Sequence, residues 1–138
     1  MIFLAFDFGI KRIGVAVGQK ITNTAQTLPL IKVKNEKINL NQFKTLFLEW
    51  KPHSIIIGLP LNMNGTQQNI TKKSKQFSKK LFKNFKIPIF LHDERLTTIE
   101  AKTTLFEKNG FKSLIKNKTD STAAAIILES WLINNTHV

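Results

Sequence analysis

The sequence predicts an α/β domain in which a mixed sheet, antiparallel at its start, carries helices on both faces. Two observations carry this. Apolar runs of strand length, IFLAFDF at Ile2–Phe8 and SIIIG at Ser54–Gly58 foremost, are continuous rather than alternating, as in strands covered on both faces. Between and after them lie stretches whose apolar residues recur at helical spacing.

In chain order, Ile2–Phe8 is the first strand, Gly9–Arg12 a tight turn, and IGVAVGQ at Ile13–Gln19 its hairpin partner. Thr24–Val33 supplies a third strand, weakened at Pro29, which has no N–H to give a ladder. The period then switches. Leu40, Phe43, Phe47 and Trp50 fit a helix over Glu36–Trp50, and Pro52 lies just beyond it. Ser54–Gly58 is a short buried strand, followed by the loop LPLNMNGT. Gln67–Phe85 is a second helix with Ile70, Phe77, Leu81 and Phe85 inward and Lys72, Lys75, Lys79 and Lys83 on another face. Ile87–His92 is the fifth strand. Thr97 and Glu100 have the spacing of a capping box for a helix ending before Gly110. A polar, basic loop, GFKSLIKNKT, precedes a closing helix over Asp120–Asn134. One domain over residues 1–138 is expected, with no internal repeat or linker.

Composition narrows the function. Twenty-one Lys and Arg against nine Asp and Glu give a formal charge of +12, which favours a polyanionic partner such as nucleic acid. AT-rich codon usage would also enrich Lys. The distribution is more telling, since eight Lys and no acid lie between Glu49 and Asp93. No run approaches the ~20 apolar residues of a membrane span. The start, MIFLAFDFG, lacks the pattern of a signal peptide, and the absence of Cys excludes disulfides and thiolate zinc sites, so a cytoplasmic location is expected.

The three Asp each sit at a junction. Asp7 interrupts an otherwise apolar strand, where an unpartnered carboxylate is costly. Asp93, with Glu94 beside it, follows the fifth strand, and Asp120 opens the last helix. If the first and fifth strands run parallel, they bring Asp7 and Asp93–Glu94 to one rim of the sheet. Gathered carboxylates suit a hard divalent cation, and such ions on a basic surface point to phosphodiester chemistry. Structural alternatives stand beside each: an ion pair with Lys11 or Arg12 for Asp7, a turn at Asp93, a pair with Arg95 or Lys102 for Glu94, a helix cap at Asp120. Both Arg of the chain, Arg12 and Arg95, lie beside these acids, and Arg binds phosphate as a planar fork where Lys cannot.

Four motifs in order, DFGIKRIGVAV, GLPLNMNGT, DERLTTIEA and DSTAAAIIL, resemble those of the YqgF (RuvX) family, described as pre-16S rRNA processing nucleases and as Holliday-junction-resolvase-like proteins. The resemblance runs from Ile2 to about Leu132. It implies a ribonuclease H-like fold with a five-stranded mixed sheet in the order 3-2-1-4-5. It also implies that Asp7, Glu94 and Asp120 are the catalytic acids. These acids are expected to hold one or two Mg²⁺ or Mn²⁺, with Lys11, Arg12 and Arg95 on the substrate phosphate and Asp93 auxiliary. Relatives of this fold among the resolvases carry an acid at the end of the fourth strand; IIIGLPLNMNGT has none, only Asn62 and Asn64.

The expected function is therefore a metal-dependent nuclease maturing the 5′ end of pre-16S ribosomal RNA, with structured RNA as the favoured partner, branched DNA possible, and a monomer favoured. The alternatives are a Holliday junction resolvase, which needs two active sites, and a non-catalytic nucleic-acid-binding module in transcription or ribosome assembly.

Overall fold

A computed structural model describes residues 1–96 and 121–135 of the chain. The strands are β1 (Ile2–Asp7), β2 (Arg12–Gln19), β3 (Thr24–Lys32), β4 (Ser54–Leu59) and β5 (Ile89–Asp93). The helices are α1 (Leu40–Trp50), α2 (Asn69–Phe85) and α3 (Thr122–Asn134), and a 3-10 turn follows β5 at Glu94–Leu96. The helix expected after Thr97, the basic loop and Asp120 lie outside the described residues.

The strands form one sheet in the order β3-β2-β1-β4-β5, as the family resemblance implied. β1 pairs antiparallel with β2 and parallel with β4, and β4 pairs parallel with β5. β1 and β5 thus end at the same rim. Because side chains alternate across a strand, β1 feeds two cores. Phe3 and Ala5 join Ile56 and the α3 residues Ala124, Ile127, Leu128 and Trp131 on one face. Leu4 and Phe6 join Ile55, Ile57, Phe43 and Phe47 of α1, and Phe77 and Leu81 of α2, on the other. The expected coverage of both faces is thereby met.

The boundaries differ where local chemistry decides them. α1 begins at Leu40, four residues later than the expected Glu36. Asn35 and Glu36 both have positive φ (52° and 57°), which no helix accommodates, and the Asn39 side chain caps the helix by accepting from Asn41 N–H at 3.0 Å. β5 begins two residues late, at Ile89, after Pro88. In α2, Phe77 and Leu81 are buried as expected, whereas Ile70 and Phe85 are half-buried.

Pro29 has its predicted effect. The β2–β3 register shifts between Ile13 and Val15, opposite Leu28 and Ile31. The gap is filled from outside the sheet. Ser121 Oγ accepts from Val15 N–H at 2.9 Å and donates to Leu28 C=O at 2.6 Å. One hydroxyl therefore bridges the two strands and fixes the start of α3 against the sheet.

Candidate functional site

The rim at the ends of β1, β4 and β5 collects the acidic candidates. By alternation Asp7 faces the α3 side of the sheet, and its partner across the β1–β2 ladder is Gly14. Gly14 marks how closely these groups gather. A Cβ there would lie 3.4 Å from Asp7 Cβ, 3.5 Å from Ser121 Cα and 3.6 Å from Ala124 Cβ. The start of α3 thus packs directly beside Asp7.

Glu94 reaches the same region from the far side. Between β1 and β5 runs β4, and at its end Gly58 leaves room over the sheet. A Cβ on Gly58 would collide with Ile127 Cδ1 and sit 3.2 Å from Glu94 Oε2. Gly58 therefore accommodates both the α3 side chain and the Glu94 carboxylate. Sequence reasoning missed this residue, because its role depends on which group lies across the strand, and only its position after a buried apolar run hinted at it.

The electrostatics follow from this placement. Burial pushes the Asp7 carboxyl up to about 6. Glu94 is pushed up to about 7, first by burial and then by the charges of Asp7 and Asp93. Glu94 thus senses the Asp7 charge at the same rim. A cation placed between them would relieve both effects, and hard divalent cations prefer such oxygen donors. The residues present fit a metal of this kind. Among the described residues, no group of three or more acidic, His or Cys side chains is close enough to form a metal site; Asp120, the third expected acid, precedes Ser121 and lies outside them.

Asp93 has a different environment. Its carboxylate takes the Arg95 guanidinium at 2.7–3.1 Å through Nη2 and Nε, and Arg95 N–H at 2.9 Å. The hydrogen bonds from the Arg95 side chain hold the Asp93 carboxyl below the usual range. Arg95 Nη1 also donates to Met63 C=O at 3.1 Å, and the guanidinium lies beside Gly65, whose φ of 88° suits only glycine. Arg95 thus fastens the loop after β4 to the end of β5. The Asn side chains of that loop serve its own turn, with Asn62 Nδ2 donating to Thr66 Oγ1 and Asn64 Oδ1 accepting from Thr66 N–H and Oγ–H. Lys11 and Arg12 stand exposed where β2 begins, at the same rim.

Comparison with known proteins decides the family. A model of the RuvX family, described as Holliday junction resolvase, matches residues 1–134. The chain belongs to the RuvX family. A RuvX relative from Buchnera aphidicola subsp. Baizongia pistaciae is 61% identical over 133 residues, 96% of this chain and 97% of its own. Relatives from Klebsiella pneumoniae (strain ATCC 700721 / MGH 78578) and Escherichia coli O7:K1 are 50% and 52% identical, covering 94% and 93% of both chains. All three carry the name "Putative pre-16S rRNA nuclease". Among solved structures, Thermus thermophilus RuvC in complex with a Holliday junction substrate superposes with a TM-score of 0.61 at 11% identity, over 99% of this chain and 96% of that one. The Fowlpox virus resolvase with Holliday junction DNA gives 0.57 at 16% identity, over 97% and 98%. The RuvX chain thus shares the ribonuclease H-like fold of these resolvases. No helix among its described residues is long and apolar enough to cross a membrane.

Proposed function

We propose that this chain is a metal-dependent phosphodiester hydrolase that matures the 5′ end of pre-16S ribosomal RNA, its nuclease domain spanning residues 1–138. The observation that carries the reading is the pair of partly buried carboxylates, Asp7 and Glu94, set on one rim across the Gly58 gap, both with raised pKa. The names of the RuvX relatives supply the substrate class.

Asp7 and Glu94 would hold Mg²⁺ or Mn²⁺, with Asp120 as the third ligand from just ahead of the Ser121 anchor. When bound, one or two such ions lower the pKa of a coordinated water and neutralise charge on the scissile phosphate. The protein supplies the rest. Both carboxylates must be ionised to bind, so the site loads as pH rises through their raised pKa values. Gly14 and Gly58 leave the space in which the two acids sit beside α3. Lys11 and Arg12 are placed to meet phosphate at the open side of the rim. Arg95 contributes chiefly by fastening the loop after β4; its guanidinium is shared between Asp93 and the Met63 carbonyl, and it would meet phosphate by giving up the Met63 contact.

Labelled 16S rRNA precursor and a four-way DNA junction, each incubated with Mg²⁺, Mn²⁺ or EDTA, test the assignment. Metal-dependent cutting confined to the RNA supports the processing role. Paired symmetric incision of the junction by a dimer moves the chain to the resolvases. Binding without any cutting would leave a non-catalytic module as the better account.

A further inference from the structure

We propose that a second site at the same rim, a cavity on the opposite face of the sheet from Asp7, receives one unpaired nucleobase of the substrate strand. The inference rests on the nucleic-acid reading above and adds to it where the strand is gripped. The cavity measures about 310 Å³, at the lower end of the volumes that hold small ligands and suited to one planar ring system. Its apolar wall includes Phe8, Ile10 and Phe77, with the two aromatic rings 5.1 Å apart and inclined by 34°. A base has an apolar face to lay on such a wall.

Two further observations favour a nucleotide over a generic apolar ligand. Lys73, Gln76, Phe77 and Lys80 share one face of α2 by their i, i+3, i+4, i+7 spacing and line the cavity, so two exposed lysines border it and can meet a strand's phosphates. Glu36, on the loop ahead of α1, lines it too. Its carboxylate can only accept hydrogen bonds, which suits a base bearing an exocyclic amine such as cytosine.

The position relative to the carboxylates completes the case. Phe8 follows Asp7 directly, yet alternation turns them to opposite faces of the sheet. A strand crossing the end of β1 would present a phosphate to Asp7 on one side and lodge a base beside Phe8 on the other. The ligand is an unpaired nucleotide within a chain, from RNA or DNA.

The test is binding, measured by fluorescence anisotropy in EDTA so that no cutting occurs. The probes are a short strand made wholly of abasic residues and the same strand with one central cytosine, each on ribose and on deoxyribose backbones. The native chain is expected to favour the cytosine-bearing strand by about tenfold, and the better backbone identifies the source. Ile10 is 43% exposed, so Ile10→Ser folds normally and should bring the ratio below about twofold. Lys73→Gln with Lys80→Gln should weaken both strands equally, leaving the ratio intact. A ratio near one in the native chain, an unchanged ratio in Ile10→Ser, or no binding of either strand at low salt overturns the proposal. Because the readout needs no metal, a chain that shows the ratio but never cuts keeps the pocket and loses the nuclease; one that cuts with a ratio of one does the reverse.

Discussion

Asp7 and Glu94 bind protons more tightly in the folded chain than in the unfolded one, where their ordinary values are 3.8 and 4.5. With folded values of about 6 and about 7, the native state holds protons that the unfolded state has released. Stability therefore falls as pH rises from about 4 through 7. In EDTA, melting curves should show Tm dropping by a few degrees between pH 5 and 7.5 from these two groups. Asp7→Asn should flatten that slope and raise Tm at pH 7.5. Added Mn²⁺ should restore Tm in the native chain and much less in Asp7→Asn; equal restoration would place the ion elsewhere. Gly58→Ala drives a methyl into Ile127 and against Glu94. It should cost about 1–3 kcal/mol in denaturant unfolding and reduce cleavage together with it. Of these residues Asp7 was legible in the sequence, as a charge in an apolar strand; Asp93–Glu94 stood out by following the fifth strand, and the motif singled out Glu94 of the two. Gly58 was not, since a glycine after an apolar run says nothing about what lies over it.

At the scale of elements, one hydroxyl pins the start of α3 to the sheet. Ser121→Ala leaves the Val15 N–H and Leu28 C=O without the group that joins them. Urea unfolding should show a loss of about 1–3 kcal/mol, and cleavage should fall by more than stability alone explains, because the start of α3 packs beside Asp7. A Thr at this position retains the hydroxyl and should recover most of both. The strands were legible as apolar runs, and the helices by their period, because burial on both faces dictates those patterns. The late start of α1 shows the limit. Asn39, an ordinary cap residue, marked the true boundary, but the left-handed pair Asn35–Glu36 leaves no periodic trace in sequence. Pro29 announced the weak point of β3 without revealing that Ser121, far along the chain, would repair it. Strand order was not readable from periodicity at all and came with the family motifs.

For the whole molecule, a charge of +12 surrounds a rim whose own chemistry is acidic. Such a field should draw nucleic acid to the surface, while the carboxylates wait for a cation before they tolerate phosphate. Binding should accordingly weaken steeply with salt, each phosphate contact adding about 0.7 to the logarithmic slope on a single strand and about 0.9 on duplex DNA. Titrations in EDTA with the native chain and Asp7→Asn should give the same slope, since the substitution removes no Lys or Arg that meets phosphate. The central claim is that Asp7 and Glu94 together form a divalent-metal site that cuts a phosphodiester. Its most direct test is the single-turnover cleavage rate of 16S rRNA precursor in Mn²⁺ for the native chain, Asp7→Asn and Glu94→Gln, with RNA affinity measured in parallel. A rate reduced at least a hundredfold in both variants, with affinity unchanged, is the predicted result; cleavage that survives either substitution would contradict it.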